Sequence, residues 1–208
     1  MEGAKSESVI IPENMHYRLS LFCLILAACV PFGRLQADTA ILVSVPDQKL
    51  VVLQNGLRSA EYPVSTSRFG VGDRPRSFAT PLGALQVALK IGDHLREGSV
   101  FHSRRPTGEI LQPNAPGRDP IVTRILWLRG LEAQNAHAYD RAIYIHGTPQ
   151  ERLIGRPASY GCIRMRSCDV VKVYDATPVG AKVEIVNVSV SRAMKDIASE
   201  VHVGEPAS

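Results

Sequence analysis

Cysteine is scarce in this sequence, with four residues among 208. Cys23 and Cys29 fall in an apolar N-terminal stretch, which leaves Cys162 and Cys168 for the rest of the chain. Two cysteines so close together do not make the network of crosslinks that holds small secreted domains together. The sequence therefore excludes a disulfide framework and draws attention to the chemistry of a single thiol.

Metal-binding spacings are also missing. A zinc site assembled from His146, Cys162, Cys168 and either His94 or His102 is conceivable on composition alone. No two of these residues, however, have the Cys-x-x-Cys or His-x-x-x-His spacing that places two ligands on one element. We therefore predict neither a metal site nor an organic cofactor.

Clusters of basic residues are absent as well. Lysine and arginine number 24 against 20 aspartates and glutamates, for a net charge of +4 and a pI near 9.0. This charge suits an anionic partner such as the cell wall. The positive residues are scattered, however, and form no patch typical of nucleic-acid binding. We predict no nucleic-acid partner.

No apolar run is long enough to cross a bilayer comfortably. The run LSLFCLILAACV at positions 19–30 has instead the length of a signal-peptide core. Residues 1–37 are therefore predicted to be an N-terminal extension and an export signal. We expect the protein in the periplasm or at the cell wall.

The sequence leaves the start and the end of this signal open. A start at Met15 would put Met-His-Tyr-Arg directly before the apolar core, after a neutral to acidic stretch. Leu-Gln-Ala at 35–37 suits cleavage after Ala37, which helix-breaking Pro31 favours. Leu-Ala-Ala-Cys, ending at Cys29, resembles a lipoprotein signal, and an uncleaved anchor is the third alternative. Membrane attachment is expected only in these last two cases.

The remaining composition fits one globular domain. Hydrophobic residues make up 45% of the sequence and charged residues 21%, which allows a single core at this length. No internal repeat is present. We assign residues 38–190 to one domain and residues 191–208 to a peripheral C-terminal tail with a helix at 191–201.

Short runs of β-branched and aliphatic residues predict a mainly β domain. The first two runs, followed by Asn55-Gly56 as a hairpin turn, predict an antiparallel meander. The clearest helix is at 166–174, where valines can face a core. The predicted strands are 40–45, 49–53, 85–91, 121–128, 142–146 and 183–188.

Two polar stretches, residues 65–83 and 104–120, are too rich in glycine, proline and serine or arginine for regular structure. Long ordered loops usually serve a site. We therefore expect the first loop to border a cleft and the second to form a lid or a rim.

The chemically informative segment begins at His146, which ends a predicted strand, and leads to Ser159-Tyr160-Gly161-Cys162. A thiol needs a neighbouring base to become a thiolate near neutral pH, and a helix N-terminus lowers its pKa further, so we predict Cys162 at a helix start. Gly161 permits a sharp turn that exposes its own amide and the next one to a developing oxyanion. Arg164 either binds a substrate carboxylate or holds the loop through carbonyl oxygens.

Taken singly, these residues have ordinary structural explanations. A cysteine is often a small buried apolar residue, and a histidine at a strand end often lies in the core or at a rim. The combination of a base, a Ser-x-Gly-Cys turn and an export signal favours catalysis. Cys168, by contrast, is expected to face a helix core.

The two-part pattern of His146-Gly147-Thr148 and Ser159-x-Gly161-Cys162-Ile163-Arg164 resembles the signature of the YkuD-type L,D-transpeptidase catalytic domain. Thr80-Pro81-Leu82-Gly83 is similar to the family's upstream Thr-Pro-x-Gly turn. The resemblance covers roughly residues 39–186. It implies a β-sandwich-like fold with a short helix after the nucleophile.

The resemblance also implies a reaction. Cys162 would attack the meso-diaminopimelate carbonyl of a peptidoglycan tetrapeptide, expel the terminal D-Ala and pass the acyl group to an amine, either of a second stem peptide or of a wall-attached protein. His146 would move the proton, oriented by a backbone carbonyl near Gly147 rather than by an aspartate. Ser159, Gly161 and Gly147 would shape the oxyanion turn, with Arg164 and Thr148 on the substrate side.

One departure from the family is Tyr160, since many members have histidine at this position. We keep Tyr160 as a substrate contact. Two other functions remain open. In a hydrolase of the same fold, water would replace the amine, as in an L,D-carboxypeptidase or an enzyme that releases wall-bound protein. A non-catalytic peptidoglycan-binding module would need neither His146 nor Cys162.

Overall fold

The computed structural model describes residues 38–203, so the predicted signal at 1–37 and the last residues, 204–208, lie outside the described part. Within residues 38–203 the chain forms ten strands and two α-helices, which confirms a mainly β fold. The elements are β1 (Thr39–Ser44), β2 (Lys49–Gln54), β3 (Leu57–Pro63), β4 (Gly83–Ile91), β5 (Ser99–His102), β6 (Arg105–Ile110), β7 (Val122–Gly130), β8 (Tyr144–Gly147), β9 (Ile163–Met165), α1 (Ser167–Ala176), β10 (Lys182–Val186) and α2 (Val190–Val203).

The domain opens with the predicted meander. β2 pairs antiparallel with both β1 and β3. Asn55 and Gly56 connect β2 to β3 with φ of 52° and 76°. Two consecutive positive φ values are the geometry of a two-residue hairpin turn that matches the strand twist. The turn signal in the sequence is confirmed.

The sheet order is β3-β2-β1-β10-β4-β7-β5-β6, and β8 pairs with β7 and β9. β1 pairs parallel with β10, and β8 pairs parallel with β9. Parallel pairing requires a long return of the chain. The 15-residue connection from Thr148 to Cys162 is such a return, and it brings β9 back beside β8 with Ile163 opposite Ile145.

The two ends of the sheet meet beside the candidate site. Ser65, just after β3, exchanges two backbone hydrogen bonds of 2.9 Å with Arg164 in β9. The sheet therefore folds over a single main core, in agreement with a sandwich-like fold. Contributions to that core from both ends of the sheet and from α1 include Ile41, Val52, Leu126, Ile145, Met165 and Val173.

Three expectations are corrected. Part of the expected loop at 104–120 forms β6, whose residues are almost all exposed, so no apolar alternation marks it in the sequence. A buried strand, β9, separates Cys162 from the helix, which begins only at Ser167. Cys168 is exposed on α1 rather than buried in a helix core.

The C-terminal helix is less peripheral than expected. Val190 and Ala193 of α2 are buried against Leu42, Val51 and Leu53 of the meander and form a second apolar cluster. None of the helices described at 38–203 is long and apolar enough to cross a membrane.

Candidate active site

His146 lies in β8 and is only 6% exposed. Its Nδ1 is 2.7 Å from the carbonyl oxygen of Gly147. Because a carbonyl oxygen can only accept, Nδ1 carries the proton, and this assignment leaves Nε2 as an unprotonated acceptor. The backbone therefore selects the tautomer that a general base needs. The expected carbonyl partner near Gly147 is present.

Gly147 allows β7 and β8 to approach closely. A Cβ at this position would lie 2.7 Å from the carbonyl oxygen of Val122 and 3.1 Å from Cβ of Thr123. These atoms belong to β7, which pairs with β8 here and cannot retreat without disturbing the sheet. Gly147 contributes through this spacing and through its carbonyl, rather than as part of the oxyanion turn.

Cys162 and His146 line the same pocket. The thiol is 3.5 Å from the carbonyl oxygen of Ala142, and the residue is partly exposed. On its inner side Cys162 packs against an apolar cluster that includes Ile125 and Tyr144. The pocket is lined by Asp119, Ile121, His146, Ser159, Tyr160, Cys162 and Arg164.

The Ser159 hydroxyl organises the turn before the thiol. It donates to the carbonyl oxygen of Cys162 at 2.6 Å and accepts from the amide of Gly161 at 3.2 Å. Gly161 has a φ of +116°, and an added Cβ would lie 3.2 Å from the carbonyl oxygen of Ala79. Glycine is therefore required here by both conformation and space.

The geometry distinguishes the two amides that the sequence analysis expected to face an oxyanion. The Gly161 amide is engaged by Ser159 and is not free to bind a substrate oxygen. The next amide, that of Cys162, has no hydrogen-bond partner among residues 38–203. The turn therefore offers the amide of the cysteine itself as its available donor.

The predicted helix start at Cys162 is wrong. Ile163–Met165 continue as β9, and they pair parallel with β8. The first residue of α1 is Ser167, five positions beyond the thiol. Because the influence of a helix end is confined to its first turn, α1 does not supply the expected direct stabilisation of a thiolate.

Arg164 is buried in an ion pair with Asp119, a residue not singled out from the sequence. The guanidinium also donates to the Ser65 hydroxyl at 3.3 Å. Its partners are thus a carboxylate and a hydroxyl, not the loop carbonyl oxygens expected from the sequence. Asp119 comes from the predicted rim loop, so the ion pair attaches that loop to β9.

Thr148 does not reach the pocket. It is fully buried, and its hydroxyl donates to the second oxygen of Asp119 at 2.5 Å. The predicted substrate contact is therefore replaced by a supporting one. Asp119 escaped the sequence analysis because it lies 45 positions from Arg164 in a polar loop.

A second buried ion pair holds the loop at 65–83, here called the upstream loop. Arg141 donates to Asp73 at 2.5 Å and to the carbonyl oxygens of Ser77 and Ala79 at 3.0 and 2.6 Å. The other Asp73 oxygen accepts from the amide of His137 at 2.6 Å. Ala79 lies against Gly161, so this pair fixes the loop beside the nucleophile turn, the name used here for residues 159–162, which carry the proposed nucleophile. The expected border of the cleft is confirmed.

Tyr160 is exposed at the rim of the pocket and contacts Phe69, Phe78 and Arg68 of the upstream loop. The position where the family often has histidine is thus part of an aromatic cluster. In the part of the chain that the structure covers, no group of three or more histidine, cysteine or acidic side chains is arranged to hold a metal ion.

These contacts place a base, a thiol and a ready amide in one pocket, and a sequence comparison agrees with them. A sequence model of the L,D-transpeptidase catalytic domain (YkuD) matches residues 38–185. The chain belongs to this family. The resemblance carried by the His146 and Cys162 motifs is thereby confirmed.

Two proteins named as putative or probable L,D-transpeptidases are similar in sequence to this family member. The putative L,D-transpeptidase YqjB of Bacillus subtilis (strain 168) is 27% identical over 189 residues, which cover 89% of this chain and 93% of that protein. The probable L,D-transpeptidase ErfK/SrfK of Salmonella typhimurium is 28% identical over 194 residues, covering 86% of this chain but only 55% of that protein.

Parts of two solved structures also match the structure of this chain. An L,D-transpeptidase from Mycobacterium tuberculosis H37Rv matches 72% of this chain with 18% identity and a TM-score of 0.47. Bd1075 of Bdellovibrio bacteriovorus matches 80% with 17% identity and a TM-score of 0.48. This family member spans 58% and 55% of those two chains.

The resting dyad of this L,D-transpeptidase family member is neutral. Burial raises the pKa of the Cys162 thiol to about 11, although the Tyr144 amide and the charges of Arg141 and Arg164 act in the opposite direction. Burial lowers the pKa of His146 to about 4, against the effect of the Gly147 hydrogen bond. At neutral pH the pair is therefore thiol and imidazole, not thiolate and imidazolium.

We expect this neutral pair to control the pH dependence of thiol alkylation. In a Cys168→Ala chain, which leaves Cys162 as the one thiol of residues 38–203, the iodoacetamide rate should rise about tenfold per pH unit between pH 7 and 10, because the thiolate fraction does so below its pKa. Mass spectrometry of quenched samples measures this rate. A rate that is constant from pH 5 to 8 would instead indicate a preformed thiolate.

His146→Ala should slow acylation of Cys162 by a substrate or a β-lactam about a hundredfold or more at pH 7, since a positioned proton acceptor is lost. In the intact chain the imidazole stays unprotonated down to about pH 4, so the rate should fall only below that pH. Stopped-flow or mass-spectrometric acylation rates test both statements. An acid limb near pH 6.5 would contradict the buried neutral imidazole.

Arg164→Lys is expected to lower the acylation rate about tenfold while costing little thermal stability. Lysine keeps one charge opposite Asp119 but cannot donate to Asp119 and Ser65 at once, because it lacks the planar fork. The loop that carries Asp119 should then be less well placed at the pocket. Arg166→Lys, at an exposed neighbouring position, is the control, and unchanged acylation in Arg164→Lys would refute a positioning role.

Proposed function

We propose that this chain is a cysteine-dependent L,D-transpeptidase that acts on peptidoglycan stem peptides. The observation that carries the proposal is the shared pocket of His146 and Cys162, with Nδ1 of the histidine hydrogen-bonded to the Gly147 carbonyl and the thiol held by the Ser159 turn. A base with the correct tautomer beside a thiol is the arrangement that acyl transfer requires.

The first half of the reaction forms an acyl-enzyme. Nε2 of His146 accepts the thiol proton as the sulfur attacks the carbonyl carbon of the third residue of a tetrapeptide donor. The negative charge that develops on the carbonyl oxygen is bound by the amide of Cys162. The intermediate then collapses, the C–N bond to the terminal D-Ala breaks, and His146 gives its proton to the departing amine.

The second half transfers the acyl group. An acceptor amine attacks the thioester carbonyl while His146 takes its proton, and the Cys162 sulfur leaves as a thiol after receiving that proton. The starting dyad is restored without any change of oxidation state. Water in place of the amine would give hydrolysis, so the same pocket also suits an L,D-carboxypeptidase.

Incubation with a disaccharide tetrapeptide, followed by mass spectrometry of the products, tests the proposal. Crosslinked dimers and free D-Ala are the expected products. Disaccharide tripeptide without dimers would assign the chain to the hydrolases. No change of the substrate, with a folded chain and an intact thiol, would refute both activities and leave a peptidoglycan-binding module.

A carbapenem provides a second test because its strained carbonyl resembles the scissile one in reactivity. We expect one drug mass per chain, located on the peptide that contains Cys162. Labelling of Cys168 at an equal rate would count against the proposed pocket, because that thiol is exposed and lies outside it.

We further propose export to the periplasm or the cell wall, on the basis of the apolar run at 19–30. The mature chain should begin at Asp38. N-terminal sequencing of the protein from cells tests this, and labelled palmitate tests the alternative. A lipid on Cys29 would make the protein a membrane-attached lipoprotein.

A further inference from the structure

An exposed aromatic cluster borders the candidate active site. Phe69, Phe78 and Tyr160 are 53%, 54% and 58% exposed, although large apolar side chains gain free energy when buried. Their ring centroids are 5.5 to 5.6 Å apart in each of the three pairs. Half-exposed rings that contact one another form a small apolar platform, which is a typical feature of binding surfaces.

The platform is held in place before any ligand arrives. The Ser67 hydroxyl donates to the carbonyl oxygen of Phe78 at 2.5 Å and accepts from the amide of Phe69 at 2.9 Å. The Arg68 guanidinium lies 4.4 Å from the centre of the Tyr160 ring and donates to its hydroxyl. A fixed platform binds a ligand with a smaller loss of side-chain entropy than a mobile one.

The platform is continuous with the pocket that holds the thiol. Tyr160 lines that pocket together with Cys162, and the carbonyl oxygen of Phe78 lies 3.5 Å from where a Cβ on Gly161 would be. Tyr160 is two residues from Cys162, so their Cα atoms are at most about 7 Å apart, and the centroid of each phenylalanine ring is 5.5 Å from that of the tyrosine ring. A donor whose carbonyl lies at Cys162 can therefore extend from the pocket onto the platform past Tyr160.

We infer that the platform binds the muramyl sugar of the acyl donor, an inference that rests on the proposed function. In a peptidoglycan stem, two amino acids separate the third residue from the sugar, which is on the order of 10 Å in an extended peptide, so the sugar would lie outside the small pocket when the third residue is at Cys162. The stem has no aromatic side chain of its own, so its broadest apolar surface is the C–H face of the pyranose ring. That face matches the size of an exposed aromatic ring.

The size and polarity of the platform favour a sugar over a protein partner. Three half-exposed rings offer roughly 300 to 400 Å², well below the roughly 800 Å² per partner of a stable protein interface. The Tyr160 hydroxyl and the Arg68 guanidinium add hydrogen-bonding groups at the rim of the rings. Sugars combine an apolar face with a polar edge in the same way.

Binding is best measured in a Cys162→Ala chain, where no turnover interferes. The ligands are disaccharide tetrapeptide and the free tetrapeptide, and the variant is Phe69→Ala with Phe78→Ala. Calorimetry should show that the double variant binds the disaccharide ligand at least about tenfold more weakly, since the two rings that would cover the apolar face of the sugar are lost. Its affinity for free tetrapeptide should stay within about twofold.

Leu57→Ala is the matched control, because Leu57 is an exposed apolar residue on β3, away from the pocket. It should change neither affinity. Carbapenem labelling of the double variant with Cys162 intact shows whether the pocket survives the loss of the two rings. A normal labelling rate and a normal melting temperature are expected.

The outcomes separate the two proposals. Equal weakening of both ligands, or no weakening of either, would overturn the sugar site, as would a wild-type platform that gives the disaccharide no advantage over free peptide. If the intact chain turns over neither ligand while Cys162→Ala binds the disaccharide through the two phenylalanines, the transpeptidase proposal fails and the sugar site stands.

Discussion

Replacing Cys162 with alanine is expected to lower acyl-enzyme formation by a factor of about 10⁴ or more, to the limit of detection, while the chain stays folded. No other described side chain of the pocket can form the thioester, since the remaining residues there are Asp119, Ile121, His146, Ser159, Tyr160 and Arg164. The loss of one sulfur from a partly exposed position leaves the main core unchanged.

Single-turnover mass spectrometry with a carbapenem and with disaccharide tetrapeptide measures this effect, and circular dichroism monitors the fold. The matched control is Cys168→Ala. Cys168 is exposed, so its replacement should leave both the rate and the stability almost unchanged, in contrast to the small stability cost expected for a buried residue. Substantial turnover by Cys162→Ala would remove the thiol from the mechanism.

Arg141→Ala is expected to reduce the free energy of unfolding by about 3 to 5 kcal/mol, the usual cost of removing one partner of a buried ion pair. The side chains of Arg141 and Asp73 are only 7% and 3% exposed. Without the guanidinium, the Asp73 carboxylate and the carbonyl oxygens of Ser77 and Ala79 would lose their donors in a buried place.

The effect should extend to the reaction because Ala79 packs against Gly161 in the nucleophile turn. We therefore expect slower carbapenem labelling of Cys162 even at temperatures where Arg141→Ala is fully folded. Urea unfolding and labelling rates measure the two effects separately.

Arg118→Ala is the control for a surface ion pair. Arg118 pairs with Glu109 at an exposed position, so its loss should cost less than about 1 kcal/mol. An equal loss of unfolding free energy in the two variants would show that the buried Arg141 pair stabilises the fold no more than an exposed ion pair does.

Several features follow from short stretches of sequence, because the interacting groups are neighbours in the chain. Asn55-Gly56 specifies a hairpin turn wherever it is placed between two strands. The Ser159 hydroxyl reaches the amide of Gly161 and the carbonyl of Cys162 within one turn. His146 finds its Nδ1 partner on the next residue. These features, with the family and the mainly β class, were predictable.

The other features could not be predicted because they join residues that are far apart in the sequence. Asp119 and Arg164 are 45 positions apart, and Asp73 and Arg141 are 68 apart. Neither acidic residue lies in a motif, so the sequence contains no signal for either pair. The same holds for the aromatic cluster, in which Phe69 and Phe78 meet Tyr160 across some ninety residues.

The segment after Cys162 shows most directly that strand pairing can override the structure predicted from a local sequence pattern. From the sequence alone, the thiol and the valines that follow it suggested a helix start, which would favour a thiolate. In the structure, parallel pairing with β8 makes Ile163–Met165 a strand, delays α1 to Ser167 and turns Cys168 outward. Sequence by itself determined the family and singled out Cys162 and His146, the residues proposed to carry the chemistry. Tertiary structure decided their charge state, because only packing sets how deeply the thiol and the imidazole are removed from water.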